Sequence, residues 1–125
     1  MSYQVYKIVH VFGVVTVFSC LSAMALHSMN GGTKEDNRFR KLVAATHGTG
    51  LLIVLIGGMG LGARMGVLQG GFATWIYVKL AIWLFAGALM MIPYRFPRFS
   101  IALWFGVPIL AAFAAWVIQY KVLFS

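Results

Sequence analysis

Four long apolar runs, at about residues 5–26, 42–61, 75–92 and 101–120, constrain this chain more than any other feature. Each is close to the roughly 20 residues that an α-helix needs to cross ~30 Å of hydrocarbon. The runs are continuously apolar rather than alternating, which argues against the strands of a membrane barrel. Lipid offers the backbone no hydrogen-bond partner, so each run must satisfy its own N–H and C=O groups as helix. The sequence therefore predicts an all-α fold, a four-helix transmembrane bundle forming one domain over residues 1–125. Composition agrees, with 62% hydrophobic and 10% charged residues and a mean hydropathy of +0.90. A soluble domain of this size carries far less apolar surface.

The net charge of +8 would point to nucleic acid in a soluble protein. Here Lys and Arg flank the spans, so the expected contact is membrane lipid and no nucleic-acid partner is expected. Residues 27–41 hold Lys34, Arg38, Arg40 and Lys41, and residues 93–100 hold Arg95 and Arg98; the opposite side has Lys7, Arg64 and Lys121. The positive-inside rule then makes loops 27–41 and 93–100 cytoplasmic and both termini periplasmic, in a bacterial inner membrane. Aromatic belts fit the same frame: Tyr3, Tyr6, Trp75, Tyr77, Trp116 and Tyr120 at one end, Tyr94, Phe96, Phe99 and Trp104 at the other. Ala23-Met24-Ala25 resembles a signal-peptidase site. A histidine inside the preceding apolar run is foreign to a signal peptide, so this segment is expected to remain as the first helix. Cys20 is the single cysteine, which excludes a disulfide framework and covalent haem attachment through C-x-x-C-H.

Helical spacing organises the unusual residues into seams. In the first run His10, Gly13, Val17, Cys20, Met24 and His27 follow alternating steps of three and four; in the second, His47, Gly50, Val54, Gly57 and Leu61 do the same. Gly58 and Gly62 add a small-xxx-small pair that admits a close backbone. In the fourth run Pro108, Ala112, Ala115 and Gln119 share a face. Asn30-Gly31-Gly32-Thr33 predicts a turn, residues 62–74 a Gly-rich loop, and Pro93 the end of the third helix.

Chemistry is concentrated at two ionisable residues inside the spans. His10 and Lys79 each lie four or five residues into runs that point the same way, ~6–8 Å below one surface. A Lys within a span costs about 2.5–3.5 kcal/mol on insertion scales, so a matched pair suggests a buried site. Histidine is the ordinary axial ligand of b-type haem, and a neutral Lys amine can serve as a second. Gln119, returning to the same level, completes the candidate set. The bland alternatives are a packed, hydrogen-bonded His10 and a Lys79 whose stem reaches water. His47 enters from the other side, ~15–20 Å from His10 along the normal, so the two cannot ligate one iron. With His27 it forms a second candidate site or a proton relay, although His27 sits where an interfacial histidine costs little. The two acids, Glu35 and Asp36, lie in a polar loop, which excludes carboxylate catalysis within the membrane.

On these residues the chain resembles the small membrane proteins related to HemJ-type protoporphyrinogen oxidase and the SirB-type family. Lys7-Ile8-Val9-His10 is similar to the K-x-x-H opening of the former, residues 75–80 with Trp75, Lys79 and Leu80 to its W-x-x-x-K-L, and Val107-Pro108-Ile109-Leu110 to its V-P-x-L. Thr46-His47-Gly48 and the run 51–58 look more like the SirB-type second helix. The late Arg and central Trp of the HemJ-type first helix have no counterpart among Ala25, Leu26 and His27 or around Phe18-Ser19-Cys20. The resemblance implies haem b, with His10 and Lys79 as important residues. The resulting expectation is a haem b membrane protein with a redox role, in porphyrinogen oxidation or electron transfer, using a quinone or porphyrin. His10 and Lys79 would be the metal-binding residues, with His47 and Gln119 as further cofactor contacts. The competing expectation is a non-catalytic subunit or assembly factor of a larger complex, or a homo-oligomer, docking through the Gly-rich seam 57–66.

Overall fold

A computed structural model describes residues 2–66, 68, 70–71 and 73–119; Tyr120 and Lys121 lie outside them. Helix α1 spans Tyr3–Met29 and α2 Arg40–Met65. The third span is α3, Thr74–Ala88, continued by a tight 3-10 turn Leu89–Met91 and a short α4, Ile92–Arg95. A second 3-10 turn, Pro97–Phe99, leads into α5, Ser100–Gln119. Four helical segments, Tyr3–Met29, Arg40–Met65, Thr74–Arg95 and Pro97–Gln119, are long and apolar enough to cross a membrane. The protein is an all-α four-helix bundle of membrane-spanning helices.

The tightest packing joins α1 to α2 along the two predicted seams. Tyr6 lies against Gly60, His10 against Gly57, Gly13 against Val54 and Val17 against Gly50, which is an antiparallel pair in constant register. Carried one step further, that register sets Cys20 level with His47. The glycines make it possible: a Cβ on Gly13 would come within 2.8 Å of the Val54 nitrogen, so only a bare Cα lets the backbones approach. Gly57, Gly58 and Gly60 of the Gly-rich seam are thus occupied within the molecule by α1, whereas Gly62 meets Leu68 and Gly66 is open. Val17, Leu21 and Ala25 continue this seam into the core, where Ala86, Leu103 and Val107 meet them. At the other end Trp75 and Ile76 of α3 pack on Val117 of α5.

Three expectations are corrected. The small-residue face of the last helix, Pro108, Ala112, Ala115 and Gln119, is exposed, and Leu103, Val107 and Val117 are buried instead. Both stripes have helical spacing, and the bulkier one fills the space between α1 and α3. Helix α2 runs on through Gly62 to Met65 and ends at Gly66, whose φ of 73° suits a left-handed cap. Gly62 is buried in the helix against Leu68 rather than beginning a loop. Nor does Pro93 end the third helix: the chain tightens through Leu89–Met91 and restarts with Pro93 in the first turn of α4. Proline is tolerated there because a first-turn N–H lacks a helical partner anyway.

The helix extension creates a local problem that the fold solves. Pro97, four residues after Pro93, has no N–H to give the Pro93 carbonyl. Pro93 is fully buried, and both Ser28 Oγ and Ser100 Oγ donate to that carbonyl, the latter at 3.3 Å. Two serines from α1 and α5 therefore replace one missing helical donor.

Candidate functional site

His10 sits on α1 with its ring against the Gly57–Gly58 step of α2. Its Nδ1 is 2.9 Å from the Val54 carbonyl oxygen. A carbonyl can only accept, so Nδ1 must carry the proton in this bond. The neutral ring then presents an unprotonated Nε2. Gly58 makes room for this arrangement: a Cβ there would lie 3.2 Å from His10 Cε1 and 3.3 Å from Nδ1. Holding one ring nitrogen on a backbone carbonyl is how ligating histidines are commonly oriented.

Lys79, half-buried on α3, lies within electrostatic range of His10. The charge of Lys79 is thus felt at His10 across the bundle. Gln119 is the third of the candidate set. It is exposed at the described end of α5, where nearby Val117 packs one turn away from Lys79, on Trp75 and Ile76.

His47 is buried, at 4% exposure, level with the similarly buried Cys20. The Ala86 backbone carbonyl acts on its ring, while Nε2 has no hydrogen bond of standard geometry among the described residues. From Gly57, which faces His10, to His47 is ten residues of α2, or about 15 Å. This spacing keeps the two histidines at separate levels.

His27 has a different role. Its Nδ1 is 2.8 Å from Tyr94 Oη and its Nε2 is 3.1 Å from Asp36 Oδ1. Asn37 Nδ2 donates to the same Tyr94 oxygen at 2.6 Å, and Asp36 accepts from the Thr33 N–H at 2.9 Å. Both ring nitrogens of His27 are therefore engaged in tying the 30–39 loop to α4. His27 and His47 lie well apart along the helices, about 10 Å by the α1–α2 register.

Sequence reasoning missed Trp83. Its Nε1 donates to the Leu51 carbonyl at 2.8 Å, fixing the middle of α3 to α2. The signal was present: Trp83 lies one turn beyond Lys79, away from both aromatic belts, and an indole N–H in mid-membrane needs a partner. Asn37 and Tyr94 were missed as partners because their contacts join loops distant in sequence.

The described residues hold no group of three or more His, Cys, Asp or Glu that could bind a metal ion. A haem iron needs only axial donors from the protein. His10, with its oriented ring and bare Nε2, is chemically suited to be one. Two cavities, of about 690 and 240 Å³, are lined by residues other than His10 and Lys79. Comparison with protein-family models, with curated proteins and with solved structures finds no match for this chain.

Proposed function

We propose that this membrane protein binds haem b and serves a redox role, with His10 Nε2 as the donor that would hold the iron. The observation that carries the reading is the His10–Val54 hydrogen bond, which selects the tautomer a ligating histidine requires. Lys79 acts beside it, as a second ligand or as the partner of a propionate. A lysine ammonium within the span is costly without a counter-ion, and a propionate would supply one. When bound, the haem would supply one-electron chemistry, with a quinone or porphyrin as the reacting molecule. By the positive-inside rule, the proposed orientation puts both termini in the periplasm and loops 27–41 and 93–100 in the cytoplasm of a bacterial inner membrane.

The absorption spectrum of the protein purified in detergent tests this directly. A Soret band that His10→Ala abolishes and Lys79→Ala shifts or weakens is the expected result. A colourless preparation that stays colourless when haem is supplied refutes it. A second reading, a non-catalytic subunit of a larger complex, is favoured by the same contact seen differently: His10 with Gly57 and Gly58 also makes a complete helix-to-helix clamp. Gentle extraction separates the two, because stoichiometric partners and no haem would support the subunit.

A further inference from the structure

A cavity of about 690 Å³ opens at the end of the bundle formed by the 30–39 loop and α4. Its walls carry four cations from three separate elements: Lys34 of the loop, Arg40 and Lys41 of α2, and Arg95 of α4. One carboxylate, Glu35, shares the lining. Among the described residues the only ion pair within 4.0 Å is His27 with Asp36, so none of the four cations is neutralised by Glu35. Apart from Thr33 and Tyr94, the rest of the wall is apolar, with Met24 buried and Met90 and Met91 leading toward the exposed helix surface.

The frame around this cavity is built rather than incidental. Tyr94 Oη, bonded to Asn37 and close to His27, fastens α4 to the loop, and the adjacent Arg95 lines the same cavity as Arg40 and Lys41. The turn itself is tight, since a Cβ on Gly32 would collide with the His27 ring. Unpaired cations that converge on one cavity repel one another unless an anion joins them. A hydrated free anion has no use for a methionine wall, whereas an anion on an apolar body uses both surfaces. Flexible thioethers suit chains of irregular shape. The volume also lies within the range of small-molecule sites.

We propose that this cavity binds the phosphate head of an anionic phospholipid, held by Arg40, Lys41 and Arg95, with its acyl chains leaving along Met90 and Met91. Basic pockets between membrane helices commonly hold such headgroups, and each Lys or Arg contributes about 1 kcal/mol, or roughly fivefold in affinity. The site is independent of the haem reading, because it lies at the opposite end of α2 from His10.

The experiment reconstitutes the purified full chain into nanodiscs of phosphatidylcholine with and without phosphatidylglycerol. Native mass spectrometry counts the lipid retained after release, and circular dichroism confirms that each variant is folded. Wild-type protein should retain phosphatidylglycerol selectively. R40Q/K41Q/R95Q should lose that selectivity about a hundredfold at roughly fivefold per cation, while K7Q/R64Q, at the other end, should keep it. Met90→Ala with Met91→Ala should weaken lipid retention. Equal loss in the two charge-neutralised variants would mean diffuse surface attraction and would overturn the site. Full displacement of the lipid by inorganic phosphate would assign the cavity to free phosphate and overturn the lipid. If the triple variant does not fold, Arg95→Gln alone must still lower retention about fivefold, and an unchanged value refutes the proposal.

Discussion

Gly57→Ala tests the packing that positions His10. A Cβ at this position would lie 2.8 Å from the His10 nitrogen, 2.9 Å from its Cα and 3.0 Å from its Cβ. All are main-chain or near-main-chain atoms, so no side-chain rotation can relieve the clash. Ordinary contact begins at about 3.4 Å, so α1 and α2 must part by about 0.6 Å at this level. A gap of 0.5–1 Å forfeits about a quarter to a half of each contact's attraction, and the loss extends to neighbours along the seam. In lipid, where helix association rests on such contacts, the expected destabilisation is about 1–3 kcal/mol. The His10–Val54 hydrogen bond should lengthen as well. Gly106→Ala is the control, because a Cβ there meets nothing within 4 Å and should change stability by no more than about 0.5 kcal/mol. Unfolding followed by circular dichroism during titration of the detergent-solubilised protein with dodecyl sulfate measures both. Indistinguishable curves for the two variants would refute the argument from close packing.

Other perturbations address the remaining contacts. Ser28→Ala combined with Ser100→Ala removes both side-chain donors to the buried Pro93 carbonyl and should cost about 1–3 kcal/mol in the same titration, more than either change alone. Trp83→Phe keeps an aromatic ring, smaller than the indole, and removes the donor to Leu51, with an expected loss from the hydrogen bond alone of about 0.6 kcal/mol and at most ~1.7 kcal/mol. His47→Ala should leave the spectrum of haem held by His10 unchanged, since about 15 Å separates them. Equal loss of one haem from folded His10→Ala and His47→Ala proteins would show that spacing to be misjudged.

The spans and the α1–α2 seam were legible because hydropathy and helical spacing are direct records of burial. Val17 meets Gly50 and His10 meets Gly57 on the faces their spacing predicts. The face of α5 was not legible, because Pro108, Ala112 and Ala115 repeat with the same period as the residues that are buried. Spacing alone cannot rank two stripes when lipid tolerates either. Helix ends were misjudged at Gly62 and Pro93 for a related reason. These residues weaken helices in water by exposing or removing backbone groups, yet in lipid a continued helix is the cheapest way to satisfy that backbone. The partners of His10 and Trp83 were hidden in another way. Both bond to backbone carbonyls, at Val54 and Leu51, and every residue has a carbonyl, so nothing in the sequence marks which one is used.

These contacts also divide α3 into two differently held halves. From Trp83 onward the third span is tied to α2 and to the first loop, through the Leu51 carbonyl and then through Tyr94 with Asn37. Before Trp83, Trp75 and Ile76 pack on Val117 of α5. Lys79 precedes Trp83 on this span, whereas His10 belongs to the closely packed α1–α2 pair. The relative position of His10 and Lys79 is therefore set across two packing units, with the Trp83–Leu51 hydrogen bond joining α3 to α2 one turn from Lys79. A change at Trp83 should alter the environment of Lys79 more than that of His10, whose ring remains fixed to Val54. For a haem held at His10, Trp83→Phe would then reproduce the spectral shift of Lys79→Ala in direction and leave retention intact. Loss of the haem itself in Trp83→Phe would place the defining contact on α3 and contradict the assignment to His10.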